Sequence, residues 1–171
     1  EALLKNGANP NFVASNGASV MMLLGASDRI DALKLVLKYG GNPNIRDPVS
    51  NNIVEQNIPV LISAAQDGKL ENIKLLLQHG AKIDITDGYN MTPLLWAAYH
   101  RHYDIAYYLL QHGADYEKTG IYPGSLNTEI NLQKIISYSL QVGIGETGIP
   151  WRTKVIKWLE ARGMVIKKAK R

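Results

Sequence analysis

The chain alternates between short apolar stretches with helical spacing and polar phrases that begin with glycine. Four apolar stretches place aliphatic residues, alanine or tyrosine at helix-like intervals, and such a phrase follows each of them. The first glycines of these phrases stand at positions 7, 40, 80 and 113, so the steps are 33, 40 and 33 residues. A repeat of this length predicts a stack of helix pairs, in which each pair buries its apolar face against its neighbours.

The repeat at residues 85–117 carries the most complete set of helix signals. Thr92 is placed to cap a first helix, and Pro93 suits the first turn because a helix leaves its first N–H groups without internal partners. A second helix is predicted over Tyr103–Gln111, and Gly113 follows it where a left-handed helix cap is expected. The repeat therefore predicts two short helices joined by a turn.

The opening of this repeat resembles that of the ankyrin repeat family. Residues 92–98 read Thr-Pro-Leu-Leu-Trp-Ala-Ala, where the family has Thr-Pro-Leu-His-x-Ala-Ala, and Leu95 takes the histidine position. The resemblance covers almost the whole chain, although its motifs weaken after residue 118. It implies an all-α ankyrin-repeat solenoid of helix-turn-helix units with finger loops and an atypical C-terminal capping repeat.

The resemblance treats residues 1–171 as a single ankyrin-repeat domain. Its expected parts are a partial repeat, three repeats, a C-terminal cap and a basic tail, at 1–11, 12–44, 45–84, 85–117, 118–166 and 167–171. Within the cap we predict helices over Thr128–Gln141 and Trp151–Arg162. The repeat at 45–84 has about seven extra residues before its first helix, which we interpret as a lengthened finger loop. Because the chain opens inside a second helix, we expect the natural protein to continue upstream.

Charge and composition exclude several kinds of function. The net charge is +4, but the last five residues hold four of the 19 basic residues, so the remainder has 15 basic and 15 acidic residues. This balance argues against nucleic-acid binding. We see no apolar stretch long enough to insert into a membrane within this segment. The chain has no cysteine, which removes disulfides and thiolate metal sites.

A search for catalytic or cofactor chemistry finds no convincing constellation. Phosphate-loop and dinucleotide motifs are missing from the sequence, so we expect no cofactor and no catalytic residues. His79 and His112 occupy the same slot in two repeats, which indicates a structural role. His100 and His102 could in principle share a metal, but residues two apart on a helix diverge, so we expect no metal site. The sequence therefore favours a protein that is not an enzyme.

Ankyrin arrays usually bind proteins through their finger tips and the concave side of their first helices. Mapping those slots residue by residue onto this chain predicts a binding surface of Arg46, Glu55, Gln56, Ile58, Gln66, Asp67, Tyr89, Met91, Tyr99 and His100. Tyr89, Met91 and Tyr99 are the proposed anchors, because interfaces enrich these residue types. The competing interpretation is that they are scattered surface residues without a shared role.

The resemblance implies a non-catalytic module that binds one folded protein. The segment 149–163 resembles the closing segment of a group of bacterial ankyrin proteins. Some bacterial ankyrin proteins are immunity partners of secreted toxins, including phospholipases delivered by type VI secretion, and often act in the periplasm. The specific hypothesis is therefore an immunity protein that inhibits a toxin or lipase effector. The alternatives are a host-directed effector, a scaffold in the cytoplasm, or the targeting domain of a larger enzyme.

Overall fold

The computed structural model describes residues 1–15, 17–46, 58–122, 125, 128–141 and 149–166. Over these ranges the chain is mostly helical. Its elements, in chain order, are α1 (Ala2–Lys5), α2 (Val20–Gly25), α3 (Ile30–Lys38), α4 (Val60–Gln66), α5 (Leu70–Gln78), α6 (Pro93–Tyr99), α7 (Tyr103–Gln111), β1 (Thr119–Ile121), β2 (Glu129–Asn131), α8 (Leu132–Gln141) and α9 (Ile149–Glu160).

The helices pack in pairs, and each pair contacts the next one. The pairs are α2 with α3, α4 with α5, and α6 with α7. The first helices contact one another in the order α2, α4, α6, α8, and the second helices follow in the order α3, α5, α7, α9. The core therefore runs along the stack, between and within the pairs, and does not lie at a single centre.

The pattern of apolar and polar residues determines which helices are amphipathic and which are buried on all sides. In α3, Leu33, Val36 and Leu37 face the core, while Asp31 and Lys34 are exposed, as the 3.6-residue period requires. Helix α6 differs because its residues 93–98 are all buried. It has α4 on one side, α8 on the other and α7 behind it, so little of its surface meets water.

The predicted helix caps are present. The Thr92 hydroxyl accepts a hydrogen bond from the Leu95 N–H at 3.2 Å, and Pro93 occupies the first turn of α6. In α2 the same role falls to Ser19, whose hydroxyl accepts from the Met22 N–H at 3.3 Å. At the other end of α7, Gly113 has a φ of +89°, which confirms the left-handed cap.

Side-chain amides and carboxylates join one glycine phrase to the next. The Asn11 amide donates to the Gly40 carbonyl at 2.9 Å and accepts from the Asn42 N–H at 2.6 Å. Asn44 repeats both bonds with Gly80 and Lys82, at 3.0 and 2.8 Å. Asp84, in the same slot, accepts from the Asp115 N–H at 3.0 Å, but a carboxylate has no proton to donate. The side chain at this repeated position therefore joins each repeat to the next one.

The C-terminal region corrects the expectation of an all-α fold. Strands β1 and β2 form a two-stranded antiparallel sheet in which Gly120 pairs with Ile130. Because residues 129–131 belong to β2, the predicted helix over Thr128–Gln141 begins only at Leu132. The last helix runs over Ile149–Glu160, two residues earlier at each end than predicted. The lengthened finger loop and the basic tail, at 47–57 and 167–171, lie outside the described residues.

We predict that Gly113→Val lowers the free energy of unfolding by about 1–2 kcal/mol, the penalty for a side chain in the left-handed region. A Cβ added at Gly113 would have no atom within 4 Å, so backbone strain is the cause and crowding is not. Gly113→Asn is the matched control, because asparagine tolerates this conformation better. Denaturant unfolding measures both variants, and equal stability of the valine variant and the wild type would contradict the cap.

We predict that Asp84→Asn raises the stability of the protein by about 0.5–1.5 kcal/mol, the net value of one hydrogen bond. The introduced amide keeps the acceptor for the Asp115 N–H and adds a donor for the Gly113 carbonyl, as Asn44 does for Gly80. Asp84→Ala is the control and should lower the melting temperature, since it removes the acceptor. If both substitutions lower the melting temperature equally, the slot does not join the repeats in this way.

Candidate protein-binding surface

A tight turn before α6 is organised by the carboxylate of Asp87. Its Oδ1 accepts hydrogen bonds from the N–H groups of Tyr89 and Met91, both at 2.9 Å, and its Oδ2 accepts from Trp96 Nε1 at 2.6 Å. Burial raises the pKa of Asp87 above its usual value, although these hydrogen bonds act in the opposite direction. The turn is therefore held in one conformation, and the half-buried side chain of Tyr89 packs against the core from it.

Neighbouring turns are bonded to one another along this edge. The Arg46 guanidinium donates to the Thr86 carbonyl at 2.7 Å, which connects the segment before α4 to the segment before α6. On the other side, the Tyr89 carbonyl accepts from the Ile121 N–H at 2.8 Å, and the Asn90 amide donates to the Thr119 carbonyl at 3.0 Å. Arg46 thus has a structural bond in addition to its place on the predicted surface.

The C-terminal ends of α4 and α6 place a second set of predicted residues close together. His102 Nε2 lies 2.9 Å from the Gln66 carbonyl, so the turn after α6 contacts the end of α4. Asp67 and His100 are exposed beside this contact. Partial burial of the imidazole and the nearby His102 lower the pKa of His100, and Asp67 partly offsets the change.

Tyr99 is the aromatic centre of this second set. Its ring makes edge contacts with Trp96, His100 and Tyr122, with centroid separations of 5.6, 5.5 and 5.9 Å. Burial raises the pKa of Tyr99, and a side-chain hydrogen bond with Tyr122 and the charges of Tyr122 and Tyr138 raise it further. The hydroxyl therefore stays protonated across the physiological pH range, with Tyr122 as its hydrogen-bond partner.

The structure corrects two features of the predicted surface. Met91 is fully buried, with 0% exposure, so its predicted surface position is wrong. Strand β1, which was not predicted, covers it: a Cβ on Gly120 would come within 2.7 Å of Met91 Sδ. Ile58 is half-buried and packs against the core, which limits its availability. Glu55 and Gln56 lie outside the described residues, and their place on the surface stays a prediction.

Two aromatic residues near this surface were missed by sequence reasoning. Tyr122 follows β1 and Tyr138 lies on α8, with 39% and 61% of their surfaces exposed. Together with Tyr99 they border a cavity of about 700 Å³ between the α6–α7 turn and the β2–α8 segment. The short run Thr119-Gly120-Ile121-Tyr122 contains strand-favouring residues, and this was the available signal for the strand that positions Tyr122.

Neither a cluster of metal ligands nor a helix of membrane-spanning character occurs in the part of the chain that the structure describes. Within those ranges, histidine, aspartate and glutamate side chains form no group of three or more that could hold a metal ion. Across the same residues, every helix is too short or too polar to span a bilayer. His100 and His102 stack in parallel with ring centroids 6.4 Å apart, and the His102 nitrogen already contacts the Gln66 carbonyl.

Comparison with known proteins establishes the family. The family model described as Ankyrin repeats (3 copies) matches residues 26–119, more than half of the chain. The chain therefore belongs to the ankyrin repeat family, and this membership indicates a protein-binding module.

The relatives of this chain include kinase inhibitors and a palmitoyltransferase. A cyclin-dependent kinase inhibitor 2A from Monodelphis domestica is 32% identical over 107 residues, which cover 63% of this chain and 58% of that protein. A cyclin-dependent kinase 4 inhibitor B from Rattus norvegicus is 33% identical over 109 residues, covering 63% of this chain and 77% of the relative. The palmitoyltransferase ZDHHC13 of Mus musculus is 43% identical, but only over 61 residues, which are 35% of this chain and 10% of the enzyme. These relatives are mammalian and give no support to the predicted bacterial subtype.

Proposed function

We propose that this chain is a non-catalytic module that binds one folded protein and inhibits it by covering part of its surface. The observation that carries the proposal is the grouping of Gln66, Asp67, Tyr99 and His100 at the adjoining ends of α4 and α6. The bonded finger turns with Arg46 and Tyr89 provide a second contact area. A partner that touches both would form an interface of standard size, roughly 1,200–2,000 Å².

The two tyrosines suit the role of interface anchors. The backbone of Tyr89 is held by the hydrogen-bonded turn and its ring packs against the core, while Tyr99 has three aromatic neighbours, so neither ring should lose much freedom when a partner binds. Tyrosine also offers a large apolar ring and a polar tip, a combination that is enriched in binding hot spots. Their rigidity supports binding to a surface that is already folded.

The repeats act together as one unit in this proposal. We propose that residues 1–171 form one ankyrin solenoid with repeat boundaries after residues 11, 44, 84 and 117, a cap to residue 166 and a basic tail. The contacts of successive helix pairs support this division, since each pair buries its apolar face against the next one.

For the partner, two candidates have a specific observation in their favour. The resemblance of residues 149–163 to bacterial ankyrin proteins supports an immunity protein that blocks a secreted toxin, such as a type VI phospholipase effector. The names of the two kinase-inhibitor relatives support inhibition as the mode of action, with a protein kinase as the target.

A different function, that of a targeting domain within a larger enzyme, is favoured by the partial match to a palmitoyltransferase.

We predict that Tyr89→Ala and Tyr99→Ala each weaken the complex by about 1–3 kcal/mol, the range of aromatic hot spots. Calorimetry should use two recombinant candidates: the product of the adjacent gene, because immunity proteins are encoded beside their toxins, and cyclin-dependent kinase 4, because of the relative's name. Tyr108→Ala is the matched control, because Tyr108 is a half-buried tyrosine on α7, on the second-helix side of the stack. Melting curves of all three variants separate lost contacts from lost stability.

A deletion of residues 167–171 tests the electrostatic alternative, since that tail holds four basic residues. We expect the deletion to leave binding unchanged. Normal binding by both tyrosine variants, together with loss of binding on deletion of the tail, would overturn the proposed surface. Binding to the kinase and not to the neighbouring gene product would remove the immunity hypothesis and keep the inhibitor proposal.

A further inference from the structure

The positive charge of the chain is concentrated at its C-terminal end. Residues 149–171 hold eight basic residues and one acidic residue, which give this segment a net charge of +7. Residues 1–148 hold the other 11 basic and 14 acidic residues, which give a net charge of −3. The total of +4 therefore hides an acidic repeat array followed by a strongly basic segment. We name residues 149–171 the basic end.

In the repeats, lysines on the second helices have carboxylate partners. Lys34 Nζ on α3 lies 3.7 Å from the Asp31 carboxylate, and Lys74 Nζ on α5 lies 2.6 Å from the Glu71 carboxylate. Each pair brings opposite charges together on one helix, so the surface around it has little net charge.

The basic groups of the last helix have contacts of a different kind. Among the described residues of the basic end, none forms an ion pair. Lys154 Nζ lies 3.8 Å from the ring centroid of Trp151 and 5.9 Å from that of Tyr107. Arg162 lies 3.5 Å from the ring centroid of Trp158 and donates to its carbonyl at 3.2 Å. Rings and carbonyls are uncharged, so the positive charge of this surface is not neutralised.

Aromatic and apolar side chains are exposed among these cations. Trp151 has 39% of its surface exposed, and Val165 has 70%. Lys154 and Lys157 lie three residues apart on the exposed face of α9. Tryptophan and tyrosine are enriched at the headgroup level of membranes, and clustered lysine and arginine are attracted to anionic lipids. The basic end therefore combines the residue types that suit the surface of an anionic bilayer.

The ring contacts distinguish a bilayer from a nucleic acid as the anionic ligand. Single-stranded nucleic acids bind by stacking bases on open aromatic faces. Here a cation lies over each of the two tryptophan rings of α9, and Tyr107 and Tyr116 pack against the same rings, at centroid separations of 5.9 and 5.5 Å. Contact at the headgroup level requires only exposed ring edges, so these packed rings suit a bilayer better than a base.

The basic end also lies apart from the proposed protein-binding surface. Helix α9 packs against α7 in the row of second helices, whereas Asp67 and Tyr99 lie at the ends of first helices. A bilayer presents anionic groups at every position, so it needs no matching arrangement of single carboxylates, as a protein partner would. The two surfaces are therefore available to different ligands at the same time.

We propose that the basic end binds the surface of an anionic phospholipid bilayer. Its lysine and arginine side chains contact the headgroups, and Trp151 and Val165 lie at the headgroup level. The contact is peripheral and does not require a spanning helix. It goes beyond the proposed function, because it gives the chain a second ligand that is not a protein.

Vesicle binding tests this proposal without any protein partner. The full chain is mixed with vesicles of phosphatidylcholine that contain phosphatidylglycerol at about 30% or none, and the bound fraction is measured by sedimentation. We expect at least roughly tenfold tighter binding to the anionic vesicles. Raising the salt from about 0.1 M to about 0.5 M should weaken this binding, since salt screens exposed charges.

Paired variants assign the binding to the basic end. Lys154→Gln combined with Lys157→Gln should weaken binding to the anionic vesicles roughly 25-fold, about fivefold for each charge. Lys34→Gln combined with Lys74→Gln is the matched control, because it removes two lysines from the same row of helices. We expect the control to lose less than about threefold, since each of those lysines already has a carboxylate partner. Melting curves check that both double variants remain folded.

Fluorescence quenching tests the position of Trp151. Brominated phosphatidylcholine in the anionic vesicles should quench the tryptophan emission of the bound protein, and Trp151→Phe should remove most of that quenching. Unquenched emission from the bound protein would contradict contact with the bilayer and would leave only attraction between charges.

Three further outcomes would overturn the inference. They are equal binding to neutral and anionic vesicles, equal losses in the two double variants, and tighter binding to single-stranded DNA or poly-L-glutamate than to anionic vesicles. The proposed function is tested separately, because Tyr89→Ala should bind vesicles normally. Deletion of residues 167–171 should weaken vesicle binding at least tenfold, about the effect of two or more charges, and leave binding to a protein partner unchanged.

Discussion

The structure depends on contact between neighbouring helix pairs, since none of these short helices can bury its apolar surface alone. Isolated helices of fewer than about 12 residues are marginal in water, so packing has to stabilise them. The contact of α2 with α4 shows how close that packing is: a Cβ on Gly25 would lie 2.2 Å from a methyl group of Val60. In α6 the same constraint buries all of residues 93–98. Each repeat therefore takes its stability from the repeats beside it.

The same packing creates the surface on which the proposed function rests. Stacked repeats bring equivalent turns side by side, and Arg46, Asn90 and Tyr89 bond across them. At the helix ends, the contact of His102 with Gln66 aligns α6 with α4. The proposed binding residues of two repeats are held in place by these contacts, which would lower the entropic cost of association with a partner. Extended binding surfaces of this kind are the usual product of repeat architecture.

Signals that act within a few residues could be read from the sequence, and contacts between distant residues could not. The caps at Thr92 and Gly113 were predicted because their geometry involves only the adjoining turn of helix. The strands at 119–121 and 129–131 were not predicted, since β1 is held by bonds to Tyr89 and Asn90, about thirty residues away. The burial of Met91 depends on that strand, and so its predicted surface position failed. For the same reason the pocket formed by Tyr99, Tyr122 and Tyr138 had no sequence signature.

Hydrogen exchange at equivalent positions tests the dependence on neighbours most directly. Val36, Leu76 and Leu109 each lie four residues before a cap glycine, on α3, α5 and α7. Helices α5 and α7 each contact a second helix on both sides, whereas the main second-helix contact of α3 is with α5 alone. We predict slower amide exchange at Leu76 and Leu109 than at Val36, because local opening reports the stability of each unit. Exchange at Val36 that is as slow as, or slower than, exchange at both leucines would contradict the account.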